Sequence, residues 1–433
     1  MTAATLLGAL CAAIVAYYLF VFLVSLRTTR RVPGATDSGA PLFVIVVPAH
    51  DEALVIEATI ARLKALRGPR LLALVMDDGS RDGTGSLARA AAGDDERFLV
   101  IERRAEVAGR GKGAVLNDAV RRIGALVADR DPRLGGAEAD EVVVGVVDAD
   151  GWLEPGALAA VAPYYRDPAV AGVQLPVRII NNRDGFLTLM QDLEFVGFSL
   201  FVQAGRDPFG SVGLGGNGQF VRLSALLTLG SEPWSDCLTE DLEIGLRLVE
   251  GGWRNRFCPT SWVAQQAVTR LRPFFRQRTR WIQGHYSCWS RLPALWRARD
   301  VPLATRVDLS LYLSLVVFIL VFTIQLLLTL AAGVGLIAFP TDLWAWVGDE
   351  HAVRALTLTL SVGPLVAFAV TYQRFATDPL PPWALPGVLL IFGVYGYFWA
   401  VPASIRALGR LASGRRGWVK TPRTAVAARA GAP

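Results

Sequence analysis

Charge is scarce in this chain: 19% of its 433 residues are charged, 52% are hydrophobic, and mean hydropathy is +0.38. Soluble domains carry about 25% charge, so this balance disfavours both intrinsic disorder and a purely soluble enzyme. Lysine is nearly absent, with Lys64, Lys112 and Lys420 the whole set. Cysteine is sparse as well. Cys11, Cys237, Cys258 and Cys288 show no CxxC or other metal spacing, so neither a disulfide framework nor a structural zinc site is supported, and reduced thiols are the expectation. No basic stretch marks a nucleic-acid partner. The formal charge of +6 owes much to arginines beside apolar blocks, at Arg27, Arg30 and Arg31 and at Arg406, Arg410, Arg415, Arg416, Lys420 and Arg423, a pattern that suits anionic membrane lipids.

Apolar residues, by contrast, collect at the two ends. Ala3 to Leu26 contains no charged residue, and at about 1.5 Å per residue a helix of that length exceeds a hydrocarbon core of roughly 30 Å. Its charged flank follows the run, which disfavours a cleaved signal and places the next segment in the cytoplasm. Three further blocks, about Leu309 to Phe339, Ala352 to Tyr372 and Trp383 to Ile405, are each long enough to span. Three crossings would leave the tail outside, whereas its arginines assign it to the inside; the two signals conflict. The expected division is 1–40 as an N-terminal transmembrane helix with its basic flank, 41–300 as a cytoplasmic domain with an interfacial segment, 301–406 as transmembrane helices and 407–433 as a basic tail.

Within the middle region, short apolar runs alternate with helical patterns: Leu42 to Val47, a helix through about Ala65, Leu71 to Met76, a second helix, Phe98 to Ile101, a helix from about Gly113 to Val127, and Glu141 to Val147. This predicts an α/β fold with a mostly parallel sheet covered on both faces, which binds ligands outside the carboxyl ends of its strands. Acid collects at those ends: Asp51 and Glu52 after the first run, Asp77 and Asp78 after the second, Asp148 and Asp150 after the fourth. Any one cluster serves as a turn or cap. Three on one edge point to a site. A carboxylate pair such as Asp148 and Asp150 suits a hard divalent cation shared with phosphates, and Lys112, opening a helix between Gly111 and Gly113, suits an anion.

Downstream, Thr239-Glu240-Asp241 reads alone as a helix cap, and Gln277-Arg278-Thr279-Arg280-Trp281 reads alone as an interfacial anchor. In chain order, however, Pro48-Ala49-His50-Asp51-Glu52, the Asp77 segment, Gly111-Lys112-Gly113 with Asn117, Asp148-Ala149-Asp150, Thr239-Glu240-Asp241 and Gln277 to Trp281 together resemble the D, DxD, TED, QxxRW series of membrane-embedded family 2 glycosyltransferases. That group holds the cellulose, chitin, hyaluronan and bacterial exopolysaccharide synthases. The resemblance covers about Leu42 to Gly284, and the glycine-rich Gly213 to Gln219 looks more like the exopolysaccharide type than the cellulose type.

The resemblance implies a GT-A-like nucleotide-sugar-binding domain inserted between N- and C-terminal transmembrane helices of a multi-pass inner (plasma) membrane protein. It implies inverting transfer from a UDP-sugar to a growing polysaccharide with coupled translocation, the alternative being a membrane-lipid acceptor, and it leaves room for accessory export subunits. By residue, Asp51, Glu52, Asp77, Asp78, Lys112 and Asp148 contact the nucleotide sugar, and Asp150 holds Mg²⁺ or Mn²⁺. Asp241, with Glu240 beside it, is the catalytic base. Gln277, Arg278, Arg280 and Trp281 line the acceptor and diphosphate side. Trp418 to Arg423 faintly resembles a gating loop.

Overall fold

The computed structural model describes residues 3–29, 40–67, 70–317, 320, 363 and 366–414. The unbroken apolar runs become β1 (Leu42–Ala49), β2 (Leu71–Asp77), β3 (Phe98–Glu102) and β4 (Val142–Val146), separated after α1 (Ala3–Thr28) by α2 (Ile56–Lys64), α3 (Thr84–Ala92) and α4 (Lys112–Ala128). Alternation along β1 explains why no polar residue interrupts it. Phe43, Ile45 and Val47 pack with Ile56, Ile60 and Ala88 on one face, while Leu42, Val44 and Val46 pack with Val115, Leu116 and Ala119 on the other.

The main sheet has the order β3-β2-β1-β4-β8-β6-β9, where β6 is Val170–Gln174, β8 is Gln219–Arg222 and β9 is Arg254–Phe257. Neighbours pair in parallel except at β8, which runs antiparallel to both β4 and β6. The mostly parallel sheet is therefore present with one inversion. That inversion has a weak sequence signal, because β8 is four residues long and follows a glycine-rich lead-in. β5 (Trp152–Leu153), β7 (Val177–Ile179) and β10 (Val263–Gln265) form a smaller sheet beside it. Register aligns Ala49 with Asp77 and Val46 with Val146, so the residues after β1, β2 and β4 share one edge.

The Phe186–Gly197 helix continues into a π-helical stretch, Phe198–Gln203, against which α1 docks. The fit there is tight: a Cβ on Gly205 would lie 2.2 Å from the Val21 carbonyl oxygen. Next to it, the fully buried Arg206 donates to Asp308 Oδ2 (2.9 Å) and the Ser211 carbonyl (2.7 Å), and Tyr17 of α1 donates to the same Asp308 carboxylate. This network fastens α1 to the domain and to the Leu303–Leu313 helix. Among the described residues one helix, Pro382–Ala412, is long and apolar enough to cross a membrane, and Ala16–Thr28 is a shorter apolar stretch of α1. The flank at Arg30 and Arg31, most of the blocks expected at 309–339 and 352–372, and the tail with Trp418 to Arg423 lie outside the described residues.

Candidate active site

At the ends of β1 and β2, the expected carboxylates are drawn into a web of loop hydrogen bonds. Asp77 Oδ1 accepts from the Ser80 amide (3.0 Å), Asp51 Oδ1 accepts from the Arg81 amide (2.8 Å), and Asp78 Oδ1 accepts from the Gly109 amide (3.1 Å) and from the Arg103 guanidinium. The Glu52 amide donates to Thr84 Oγ1 (2.7 Å), and Glu52 itself is buried. Asp51 has a φ of +53°, a left-handed conformation that costs a residue with a side chain and recurs at functional turns. Asp77, Asp78 and Glu52 thus line the floor of the edge, with Asp51 exposed above them.

Between this floor and the Glu240–Glu250 helix lies a second group. Lys112 Nζ donates to Asp148 Oδ1 at 2.5 Å. Gly216, with a φ of +75°, comes so close that a Cβ would lie 2.8 Å from Asp241 Oδ2 and 3.2 Å from Lys112 Nζ. Only glycine gives both that backbone and that approach. Asp150 is buried at the end of β4, and the Asp148 amide donates to Asn217 Oδ1 (3.2 Å), whose amide nitrogen donates to Gln265 Oε1 (3.2 Å).

The electrostatics unite these pieces. Burial opposes the charge on Lys112, but the carboxylates of Asp148, Glu240 and Asp241 outweigh it and hold the ammonium above its ordinary pKa. Burial raises Asp241 against the pull of Lys112, the Leu242 amide and Arg280. It raises Glu240 to about 7, reinforced by Asp241 and opposed by Lys112 and Arg280. A cap would aim a side chain back at the helix amides; the Thr239 hydroxyl makes no such bond. Its neighbours are the thiols of Cys237 and Cys288.

The Leu271–Ser287 helix sends its motif residues two ways. Arg280 faces the Glu240–Asp241 pair electrostatically. Arg278 is fully buried on another side, where it donates to Glu194 Oε2 (2.7 Å) and lies 4.4 Å over the Trp281 ring, while Trp281 meets Phe195 edge-on. Gln277 is half-buried on the same helix. The structure thus brings Lys112, Asp148, Glu240, Asp241 and Arg280 together, and it does not bring Arg278 to them. Asn217, Gly216 and Arg103 are additions. Their sequence signals were faint: a glycine-rich lead-in for the first two, and a place just after β3 for the third.

Among the described residues no cluster of three or more His, Cys, Asp or Glu side chains forms a self-contained metal cage. Asp148 and Asp150 are nevertheless the hard oxygen donors that Mg²⁺ or Mn²⁺ takes when phosphate and water complete its shell.

Residues 40–284 match the family model described as Glycosyltransferase like family 2. The chain is 28% identical over 404 residues to a beta-monoglucosyldiacylglycerol synthase of Nostoc sp. (strain PCC 7120), covering 91% of this chain and 79% of that one. It is 24% identical over 247 residues to a poly-beta-1,6-N-acetyl-D-glucosamine synthase of Staphylococcus aureus (strain COL), covering 55% of this chain and 53% of the relative. The chain spans about half the length of other curated relatives it matches, at 55% and 48%. Among solved structures, a mannosyltransferase from Pyrobaculum calidifontis, in complex with GDP-Man and Mn²⁺, shares the fold at a TM-score of 0.54 and 19% identity, covering 94% of this chain and 99% of the other. The α/β domain, the acid-lined sheet edge and the match over residues 40–284 agree, and the chain belongs to glycosyltransferase family 2, enzymes that transfer sugars from nucleotide-sugar donors.

Proposed function

We propose that this enzyme transfers a sugar, with inversion, from a UDP-sugar to a hydroxyl group of a membrane lipid, with Asp241 as the base. The observation that carries the assignment is the group formed by Asp241, Lys112, Asp148 and Arg280 at the carboxyl edge of the sheet. A raised carboxyl pKa makes Asp241 a better proton acceptor than a solvated aspartate. It takes the acceptor hydroxyl proton as that oxygen forms its bond to the anomeric carbon and the bond to the diphosphate breaks. Lys112 and Arg280 supply positive charge where the leaving group develops negative charge. Asp51, Glu52, Asp77 and Asp78 shape the nucleotide floor, and Gln277 and Trp281 border the acceptor side. A divalent ion held by Asp150 with Asp148 would offset the remaining diphosphate charge.

The lipid reading is supported by the relative that extends over 91% of the chain, beyond the catalytic domain and into the C-terminal region, and that is named for a glycolipid product. A polysaccharide product, which the motif series suggests, is the second reading, supported by the shorter match to the polymer synthase. In either case the domain at 41–300 works at the cytoplasmic face of the plasma membrane, flanked by α1 and the Pro382–Ala412 helix. Purified enzyme is to be incubated with UDP-sugars, Mn²⁺ and diacylglycerol-containing vesicles, and the products separated by mass. A single-sugar glycolipid is expected; ladders of increasing chain length would sink the lipid reading. Turnover that persists in excess EDTA would sink the metal assignment.

A further inference from the structure

Cys237 and Cys288 take no part in the transfer described above, yet distant parts of the chain bring their thiols to one point. Cys237 Sγ lies 3.7 Å from Thr239 Oγ1 and 3.9 Å from the Gly284 carbonyl oxygen, and Thr239 Oγ1 lies 3.8 Å from Cys288 Sγ. The two thiols thus flank one and the same hydroxyl group. Cys237 is half-buried, whereas Cys288 is fully enclosed. This contact joins the two catalytic segments. Thr239 immediately precedes Glu240 and Asp241, and Gly284 sits on the helix that carries Arg280. A Cβ on Gly284 would fall 2.6 Å from the Thr239 side chain, so nothing separates the segments there.

We propose that Cys237 and Cys288 form a peroxide-reactive dithiol whose oxidation to a disulfide stops sugar transfer. Cys237 is the reacting thiol: the hydrogen bond from Cys288 outweighs burial and, with the Thr239 amide and hydroxyl, lowers its pKa to about 7, giving thiolate at cytoplasmic pH. Cys288 is held well above the ordinary thiol range by that same hydrogen bond and by burial, which leaves it protonated and waiting.

The Cys237 thiolate attacks one peroxide oxygen and the O–O bond breaks, giving a sulfenic acid and hydroxide, which takes a proton to become water. The Cys288 sulfur then attacks the sulfenic sulfur, the S–O bond breaks, and the thiol proton leaves with that oxygen as a second water. Two thiols and one hydrogen peroxide give one disulfide and two waters. Reduced cytoplasmic thiols are the setting in which such transient disulfides serve as sensors. Closing the bond draws the sulfurs together across the Thr239 hydroxyl that both now contact. The strain falls on the residue before Glu240, so the loss of transfer rests on the placement of Asp241 proposed above.

Full-length enzyme in detergent is to be treated with hydrogen peroxide, digested without reduction and mapped by mass spectrometry, with UDP release from a panel of UDP-sugars followed in parallel. A Cys237–Cys288 cross-linked peptide is expected, with turnover falling at least tenfold and returning with dithiothreitol. The Cys288→Ser variant should keep basal turnover and instead accumulate a dimedone-reactive sulfenic acid at Cys237. Oxidation of Cys237 without the cross-link in the wild-type enzyme would overturn the dithiol. A cross-link that leaves turnover unchanged would overturn the switch while leaving the transferase reading intact; absence of turnover from the untreated enzyme with every sugar would count against that reading alone, since the peptide map still decides the dithiol.

Discussion

Two acidic regions share the carboxyl edge of one sheet and are built on opposite terms. In the β1–β2 floor, backbone amides and the buried Arg103 bind Oδ1 of Asp51, Asp77 and Asp78. In the central group, the carboxylates of Asp148, Glu240 and Asp241 face the side-chain cations Lys112 and Arg280, and burial raises Glu240 and Asp241. An aspartate whose lone pairs are filled by fixed amides shapes a loop; one balanced against movable cations in a desolvated site is ready to take a proton. Residue type and edge position identify a region, while the partners assign the role.

The largest effect should separate the regions outright. Asp241→Asn preserves shape and any capping ability, so a structural role would leave function nearly intact. A base cannot be replaced in that way, and turnover should fall roughly 10²- to 10⁴-fold with UDP binding and thermal stability near wild type. A stable, fully active Asp241→Asn enzyme would refute the assignment.

The floor should answer in stability. Arg103→Met leaves the buried Asp78 carboxylate without its guanidinium, and breaking such a pair from one side costs about 3–5 kcal/mol. Denaturant unfolding of the domain should show that loss. A change below about 1 kcal/mol would mean that Asp78 is not held as described.

Acid titration sharpens the contrast. The base works ionised, so kcat/KM should decline as pH falls through the raised titration of the Glu240–Asp241 pair, with Glu240 near 7. Glu240→Gln removes the neighbouring negative charge and should move that limb to lower pH. Stability carries the opposite sign. A carboxyl group whose folded pKa is raised binds its proton more tightly in the folded state, so it costs stability as pH rises from about 4.5 to 7. Glu240→Gln should therefore stabilise the protein at pH 8 relative to pH 4, and an unchanged difference between the two would count against the raised titration of Glu240.

Much of this arrangement was legible in the chain. The runs at Leu42, Leu71, Phe98 and Val142 had the length and β-branching of buried strands, and once they pair in parallel their acidic ends must converge. What stayed hidden depends on partners from far along the chain. β8 inserts antiparallel beside β4 because tertiary pairing overrides a four-residue signal. The turn of Arg278 away from the catalytic group depends on Glu194, and the binding of Asp78 depends on Arg103. Spacing within a motif cannot report such contacts. Thr239 makes the same point, since its sequence suits a cap and its hydroxyl meets two thiols instead.

The smallest expected effect lies at the rim of the floor, where a carboxylate serves the loop alone. Asp82 accepts from the Ala53 amide (3.0 Å), the Thr84 amide (3.1 Å) and the Thr84 hydroxyl (2.5 Å), on an exposed turn ahead of α3. Its pKa lies below the ordinary aspartate value: the small burial raises it, but the Thr84 and Ala53 hydrogen bonds prevail. Because the folded pKa is depressed, its contribution is present above the unfolded value near 3.8 and fades as pH falls through the folded one. Asp82→Ala should cost about 1 kcal/mol in urea unfolding at pH 7. The penalty should shrink as pH falls below the unfolded value near 3.8, and turnover per folded molecule should stay within about twofold of wild type, a difference worth about 0.4 kcal/mol. A drop in turnover comparable to that of Asp241→Asn would move Asp82 from the loop to the chemistry and erase the distinction between the two acidic regions.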